Sequence, residues 1–246
     1  MDPLFDFTDK VVLITGGSRG LGYQMTKAFA ERGADIIIAS RKLEACEAVA
    51  NEVRTMGRRA LAVSTHIGKW GQCDALIEAA YDAFGRVDIL INNAGMSPAC
   101  PSHEMSEQLF DTVLNLNFKG PFRLASQIGY RMKQAGSGVI INISSSGALT
   151  PLPNVVPYSG AKAALNAMSV SLSHELKPKV RVNTISAGPF LTDIAAAWTP
   201  EAREKQPVAL GRPGNPNEIV TAALMMASDA SSYTTGALLR VDGGMS

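Results

Sequence analysis

Tyr158 and Lys162 stand four residues apart in "YSGAK". On a helix that spacing puts a phenol and an ammonium on one face. A free tyrosine releases its proton only near pH 10, and an ammonium within about 4–6 Å favours the phenolate. A downward shift of about two to three units would poise the phenol for general acid–base work. Pro157 suits the first position of a helix, with Val156 before it extended. An Ala-rich amphipathic run, "AALNAMSVSLSHEL", follows. Alone, the pair fits an ordinary solvated helix face as well, so its meaning depends on what else the chain carries.

A second constellation lies near the N-terminus. The apolar run "KVVLIT" leads straight into "TGGSRGLG", Thr15 to Gly22, ahead of a helical pattern. Gly16 permits a tight turn, Gly20 lets the backbone approach a pyrophosphate, and Gly22 allows close packing of helix on strand. The amides at the helix start then favour the anion. The spacing Gly-x-x-x-Gly-x-Gly differs from the common G-x-G-x-x-G and points to a subset of dinucleotide folds. The next apolar run, "ADIIIAS", ends in Ser40, Arg41 and Lys42 with no acid. An acid there would accept from a ribose 2′-hydroxyl, whereas arginine accommodates a 2′-phosphate. Arg41, with Arg19 from the glycine turn, therefore predicts NADP over NAD, a guanidinium fork being well matched to phosphate oxygens.

These groups need a frame. Strands are predicted at "KVVLIT", "DIIIA", "ALAVS", "VDILIN", "GVIINIS", "VRVNTI" and "ALLRV". Most are near-continuous Val, Ile and Leu, as in a parallel sheet covered on both faces. Helices are predicted to begin near Gly20, Lys42, Lys69, Glu104, Pro157 and Asn215 between them. The pattern predicts an α/β, Rossmann-type, doubly wound sheet of about seven strands, forming one domain over residues 1–246. In such sheets ligands bind beyond the carboxyl ends of the strands, and "YSGAK" follows one of those ends.

Composition narrows the function classes. A net charge of +1, with 46% hydrophobic and 18% charged residues, gives no electrostatic case for nucleic acid or an anionic membrane. No apolar run is long enough to span a bilayer, and the acidic start "MDPLFDFTDK" is not a secretory signal, so a cytoplasmic location is expected. Cys46, Cys73 and Cys100 are scattered, as are His66, His103 and His174; neither set has the spacing of a disulfide framework or a metal site.

The chain resembles the short-chain dehydrogenase/reductases of the compact, one-domain kind along essentially its whole length. The matching residues are Thr15-Gly16-x-x-x-Gly20-x-Gly22, Asn92-Asn93-Ala94-Gly95, Asn117 in "NLNFKG", Ser145 in "INISSSG", Tyr158-x-x-x-Lys162, "RVNTISAG" and Asp242-Gly243-Gly244. The resemblance implies a tetrad of Asn117, Ser145, Tyr158 and Lys162. Tyr158 would pass a proton to or from a carbonyl oxygen as hydride moves to or from the nicotinamide, and Ser145 would fix that oxygen. Lys162 would also hold the nicotinamide ribose, with Asn117 helping to hold a proton-relaying water. The implied coenzyme contacts are Gly16, Ser18, Arg19, Gly20, Leu21, Gly22, Ser40, Arg41, His66, Ile67, Asn93, Ala94, Gly95, Gly188, Phe190 and Thr192, besides Tyr158 and Lys162. A homotetramer, or a dimer, is implied in the same way.

Two positions depart from the family pattern. Ala187 replaces the proline usual before Gly188, and His66-Ile67 replaces the Asp-Val that contacts adenine in many members. The expected substrate wall is mostly apolar: Met96, Ser97, Pro98, Leu149, Pro151 and Phe190, beside Ser145 and Tyr158. Residues 190–209 would form a flap with a lid helix. A small carbonyl or alcohol substrate is expected. A 3-oxoacyl thioester and a sugar acid, as in gluconate 5-dehydrogenases, are the alternatives within the class. A non-catalytic nucleotide sensor and a sugar-nucleotide epimerase are the rivals outside it.

Overall fold

The computed structural model of the chain describes residues 2–193, 195 and 198–245. Each predicted apolar run forms a strand: β1 Val11–Thr15, β2 Asp35–Ser40, β3 Ala60–Ser64, β4 Ile89–Asn92, β5 Gly138–Ser145, β6 Val180–Ala187 and β7 Leu238–Val241. The strands are parallel, in the order β3-β2-β1-β4-β5-β6-β7. The α-helices are α1 Gly20–Ala30, α2 Leu43–Thr55, α3 Trp70–Phe84, α4 Glu107–Leu114, α5 Gly120–Ala135, α6 Val156–Glu175, α7 Pro200–Glu204 and α8 Val220–Ala227.

The unbroken apolar runs follow from burial on both faces. Alternate residues of each strand point to opposite sides. Val12, Ile14, Ile36, Ile38 and Ile91 pack with Met25 and Phe29 of α1 and Met226 of α8. Val11, Leu13, Ile37, Leu90 and Ile140 pack with Leu76 of α3, Ile128 of α5 and Leu165 of α6. Strand β1 lies between β2 and β4, so strand order reverses at the carboxyl ends of β1 and β4 and opens a crevice there. The last residue of β4 pairs with Asn142, while Ile143, Ser144 and Ser145 carry β5 onward beside β6. Ser145 therefore stands past the end of β4, at the rim of the crevice.

Three helix starts differ from the sequence reading. Val156, expected to be extended, is the first residue of α6, with Pro157 second and Val155 as the cap. Proline fits here because first-turn amides have no intrahelical acceptor. The predicted helix near Glu104 opens as a 3-10 turn, Ser102–Glu104, and α4 starts behind Ser106, whose Oγ accepts from the Leu109 N–H at 3.2 Å. Near Asn215 a 3-10 turn, Pro216–Ile219, closed by a capping box between Asn215 and Glu218, precedes α8. Between α4 and α5 the chain widens into a π turn, Asn115–Lys119. Pro121 supplies the reason: it has no N–H to return to the Asn117 carbonyl, and its ring crowds that carbonyl.

Candidate active site

The glycine turn is built as its residue types require. Gly16 and Gly20 have φ of 66° and 54°, a left-handed backbone that strains side-chain-bearing residues. A Cβ on Gly22 would lie 2.1 Å from the Gly16 carbonyl oxygen, so α1 rests on the turn with no space for a side chain. The turn is also fastened to the end of β4. Thr15 Oγ1 accepts from the amides of Asn93 and Ala94 at 2.9 and 3.1 Å, and Asn93 Nδ2 donates to the Thr15 and Gly16 carbonyls at 2.9 and 3.3 Å. The Asn93 side chain is thus committed to shaping the crevice.

At the end of β2, Ser18 Oγ lies 2.9 Å from Ser40 Oγ, which lies 3.0 Å from Cys46 Sγ. Arg41 is exposed, and its guanidinium has no hydrogen bond or ion pair among the described residues. Arg19, expected at the same phosphate, instead pairs with Asp193 at 2.6 Å. Both side chains are about two-thirds exposed, 68% and 63%, so solvent weakens that pair and leaves Arg19 easily redirected. Leu21 is half-buried and packs against the core.

The segment after β6 crosses this turn. A Cβ on Gly20 would lie 3.4 Å from the Thr192 methyl, placing Thr192 directly over it. Gly188 packs on β7, where a Cβ would come within 2.5 Å of Asp242 Cα. Phe190, expected on the pocket wall, is instead 7% exposed. Its ring sits in the core against Gly214, held by the Leu191 N–H to Gly214 carbonyl bond at 2.9 Å. Met96 is half-buried and Leu149 exposed. In the predicted flap, α7 is a single short turn capped by Thr199. Ile194, Ala196 and Ala197 of that flap lie outside the described residues.

The structure brings Ser145, Tyr158 and Lys162 together where β5 ends and α6 begins. Ser145 Oγ accepts from the Gly147 amide at 3.1 Å, leaving its own proton free to donate. Lys162 is 4% exposed; its Nζ donates to the Ile143 carbonyl at 2.8 Å and lies 5.8 Å from the centre of the Tyr158 ring. Asn117 is buried in the π turn. Its Nδ2 donates to the Met96 and Val113 carbonyls, both at 2.9 Å, and its Oδ1 accepts from the Met96 amide at 3.3 Å. Gly95 lies between Asn117 and Lys162: a Cβ there would be 2.8 Å from Asn117 Oδ1 and 3.6 Å from Lys162 Nζ. The Asn117 side chain thus holds the backbone after β4.

The electrostatics reverse one expectation. Burial raises the Tyr158 phenol, and the neighbouring Ser145 side chain opposes that rise. Lys162, with its Nζ 5.8 Å from the ring centre, has its own ammonium pushed down to about 8 by burial. Spacing alone predicts an acidified phenol; the depth of the pair in the fold, which spacing does not show, gives the opposite direction.

Residues 10–203 match the family described as short chain dehydrogenase. The chain belongs to that family. It is 36% identical over 241 residues to a 3-oxoacyl-[acyl-carrier-protein] reductase of Chlamydia trachomatis, covering 96% of this chain and 97% of that one. It is 37% identical over 254 residues to a D-threitol dehydrogenase of Mycolicibacterium smegmatis, covering 98% and 95%. A solved structure of 7α-hydroxysteroid dehydrogenase, complexed with NADH and 7-oxo glycochenodeoxycholic acid, superposes with a TM-score of 0.94 at 31% identity, covering 99% and 97%. This short-chain dehydrogenase is therefore a nicotinamide-dependent oxidoreductase acting on CH–OH and C=O groups. Its glycine turn, which side chains would fill, fits a dinucleotide. Among the described residues no helix is long and apolar enough to cross a membrane.

The buried lysine carries a pH signature. Lys162 has its ordinary 10.5 in the unfolded chain and about 8 in the fold. Between those values the unfolded chain holds the extra proton, so this group makes folding more favourable as pH rises through the window. Below about 8 the cost of burying the charge is present in full. Relative to Lys162→Met, the wild type should gain up to ~3 kcal/mol between pH 7 and 10, read from urea midpoints. Parallel pH curves for the two proteins would show that burial does not set this lysine.

Proposed function

We propose that this short-chain dehydrogenase moves a hydride between NADP(H) and a carbonyl or secondary alcohol, with Tyr158 as the general acid–base. The observation that carries the reading is the convergence of Ser145, Tyr158 and Lys162 at the rim of a crevice whose floor is the glycine turn. The bound nicotinamide supplies or accepts the hydride. In the reduction direction Tyr158 gives its proton to the substrate oxygen. A phenol kept protonated by burial suits that step. Ser145 donates to the same oxygen and fixes its position. Lys162, anchored on the Ile143 carbonyl, holds the ribose and supplies positive charge as the phenolate forms. The coenzyme contacts are the glycine turn, Ser18, Ser40, Ala94, Gly95, Gly188 and Thr192. NADP over NAD rests on the unpartnered Arg41 and on the missing acid at the end of β2.

The substrate is a ketone with an apolar body. Between β5 and the first turn of α6, Leu149, Leu152 and Val156 are all exposed, an apolar rim that a polyol would not use. The same rim favours a 3-oxoacyl thioester as the second reading, in keeping with the name of the Chlamydia relative. Initial rates with apolar ketones, acetoacetyl thioesters and sugar acids, each with NADPH and NADH, test both. Apolar ketones should be turned over with NADPH at rates well above sugar acids. Coenzyme binding with no turnover across the panel would instead identify a nucleotide sensor.

A further inference from the structure

The carboxyl end of β2 marks where the adenosine ribose of a dinucleotide lies. The chain leaving β3 is bonded to that end: the Thr65 amide donates to the Ser40 carbonyl at 2.8 Å, and Ser64 Oγ donates to the Arg41 carbonyl at 3.1 Å. The next residue, His66, therefore flanks the base. It is held on three sides. Its amide donates to Gln72 Oε1 at 2.6 Å, its carbonyl accepts from the Lys69 amide at 2.9 Å, and its ring Nδ1 accepts from the Gly68 amide at 3.1 Å. A ring that accepts at Nδ1 carries its proton on Nε2. That Nε2–H has no hydrogen-bond partner among the described residues, and the ring is half-buried. Ile67 offers no free acceptor either. Its carbonyl accepts from the Cys73 thiol at 3.2 Å, and a Cβ on Gly120 would lie only 2.0 Å from that oxygen, so the π-turn end of α5 covers it.

We propose that His66 reads the purine of the coenzyme with a donor alone, with no free acceptor from Ile67 beside it, so that the enzyme does not select an amino group at position 6 of the base. Adenine carries an amine there, a donor that needs an acceptor. The acceptors of His66 and Ile67 are already engaged by Lys69, Gly68 and Cys73, and the neighbouring Thr65 Oγ1, though unpartnered among the described residues, is buried. A carboxylate at position 66 would accept from that amine; the Nε2–H can only donate, to a ring nitrogen of adenine or to a 6-oxo group. This specificity rests on the coenzyme reading above.

The test compares the coenzyme with its deamino analogue, in which hypoxanthine replaces adenine, in both the phosphorylated and unphosphorylated forms. Dissociation constants come from fluorescence titration and KM from initial rates. In the wild type the deamino and adenine forms should bind within about threefold of each other. His66→Asp should favour the adenine form by about tenfold or more, and His66→Gln, which can donate or accept, should fall between. A wild-type preference for adenine of about tenfold overturns the proposal, as does an unchanged ratio in His66→Asp. If His66→Asp does not fold, the wild-type ratio and His66→Gln decide the matter. The base ratio is separate from the NADPH-to-NADH ratio, so failure of the 2′-phosphate assignment moves the second and leaves the first. Because binding is read directly, the base ratio can be measured even if turnover is absent.

Discussion

Tyr158→Phe should lower turnover by about 10³-fold or more while NADPH affinity stays within a few-fold. The substitution removes one oxygen and keeps the ring, so the packing at the start of α6 survives. What is lost is the proton donor, and Ser145 cannot replace it, because an aliphatic hydroxyl is a far weaker acid than a phenol. Burial holds the phenol protonated through neutral pH, which favours reduction. Alcohol oxidation needs the phenolate and should quicken as pH rises. An unimpaired kcat in either direction would remove Tyr158 from the chemistry.

The second large effect concerns the coenzyme. Arg41→Asp should move the ratio of kcat/KM for NADPH to that for NADH by about 10²-fold toward NADH. It removes a charge-assisted contact with the 2′-phosphate, offers a carboxylate to the 2′-hydroxyl, and sets like charge against phosphate. The guanidinium gives up no partner among the described residues, so the fold should be unaffected. Ser40 and Ser18 still offer hydroxyls to the ribose end, so NADH binding should not suffer. If the ratio does not move, the 2′-phosphate lies elsewhere or is not preferred.

The five inner strands were legible because their apolar runs have only one use, burial on both faces of a sheet; the edge strands β3 and β7, only partly buried, still carry enough Val, Leu and Ala to be read. The glycine turn was legible because Gly16, Gly20 and Gly22 each meet a constraint that other residue types violate. What escaped was tertiary. Phe190 reads as pocket wall or as core with equal ease, since an apolar ring suits both, and only its seat against Gly214 decides. Arg19 could not be assigned to Asp193 before the return of the chain after β6 was known. The widened turn at Asn117 did leave a mark in Pro121, a residue that cannot continue an ordinary helix. Spacing places Lys162 near Tyr158 but says nothing of depth, and depth sets the direction of both titrations.

The bolts between Thr15, Asn93 and the glycine turn have a thermodynamic consequence. Four hydrogen bonds fix the mouths of β1 and β4 against each other using the chain's own atoms. The entropy of ordering that region is therefore lost once, at folding, and not again at each encounter with a ligand. Docking there is closer to a key entering a cut lock than to a hand closing, and little main-chain movement should accompany it.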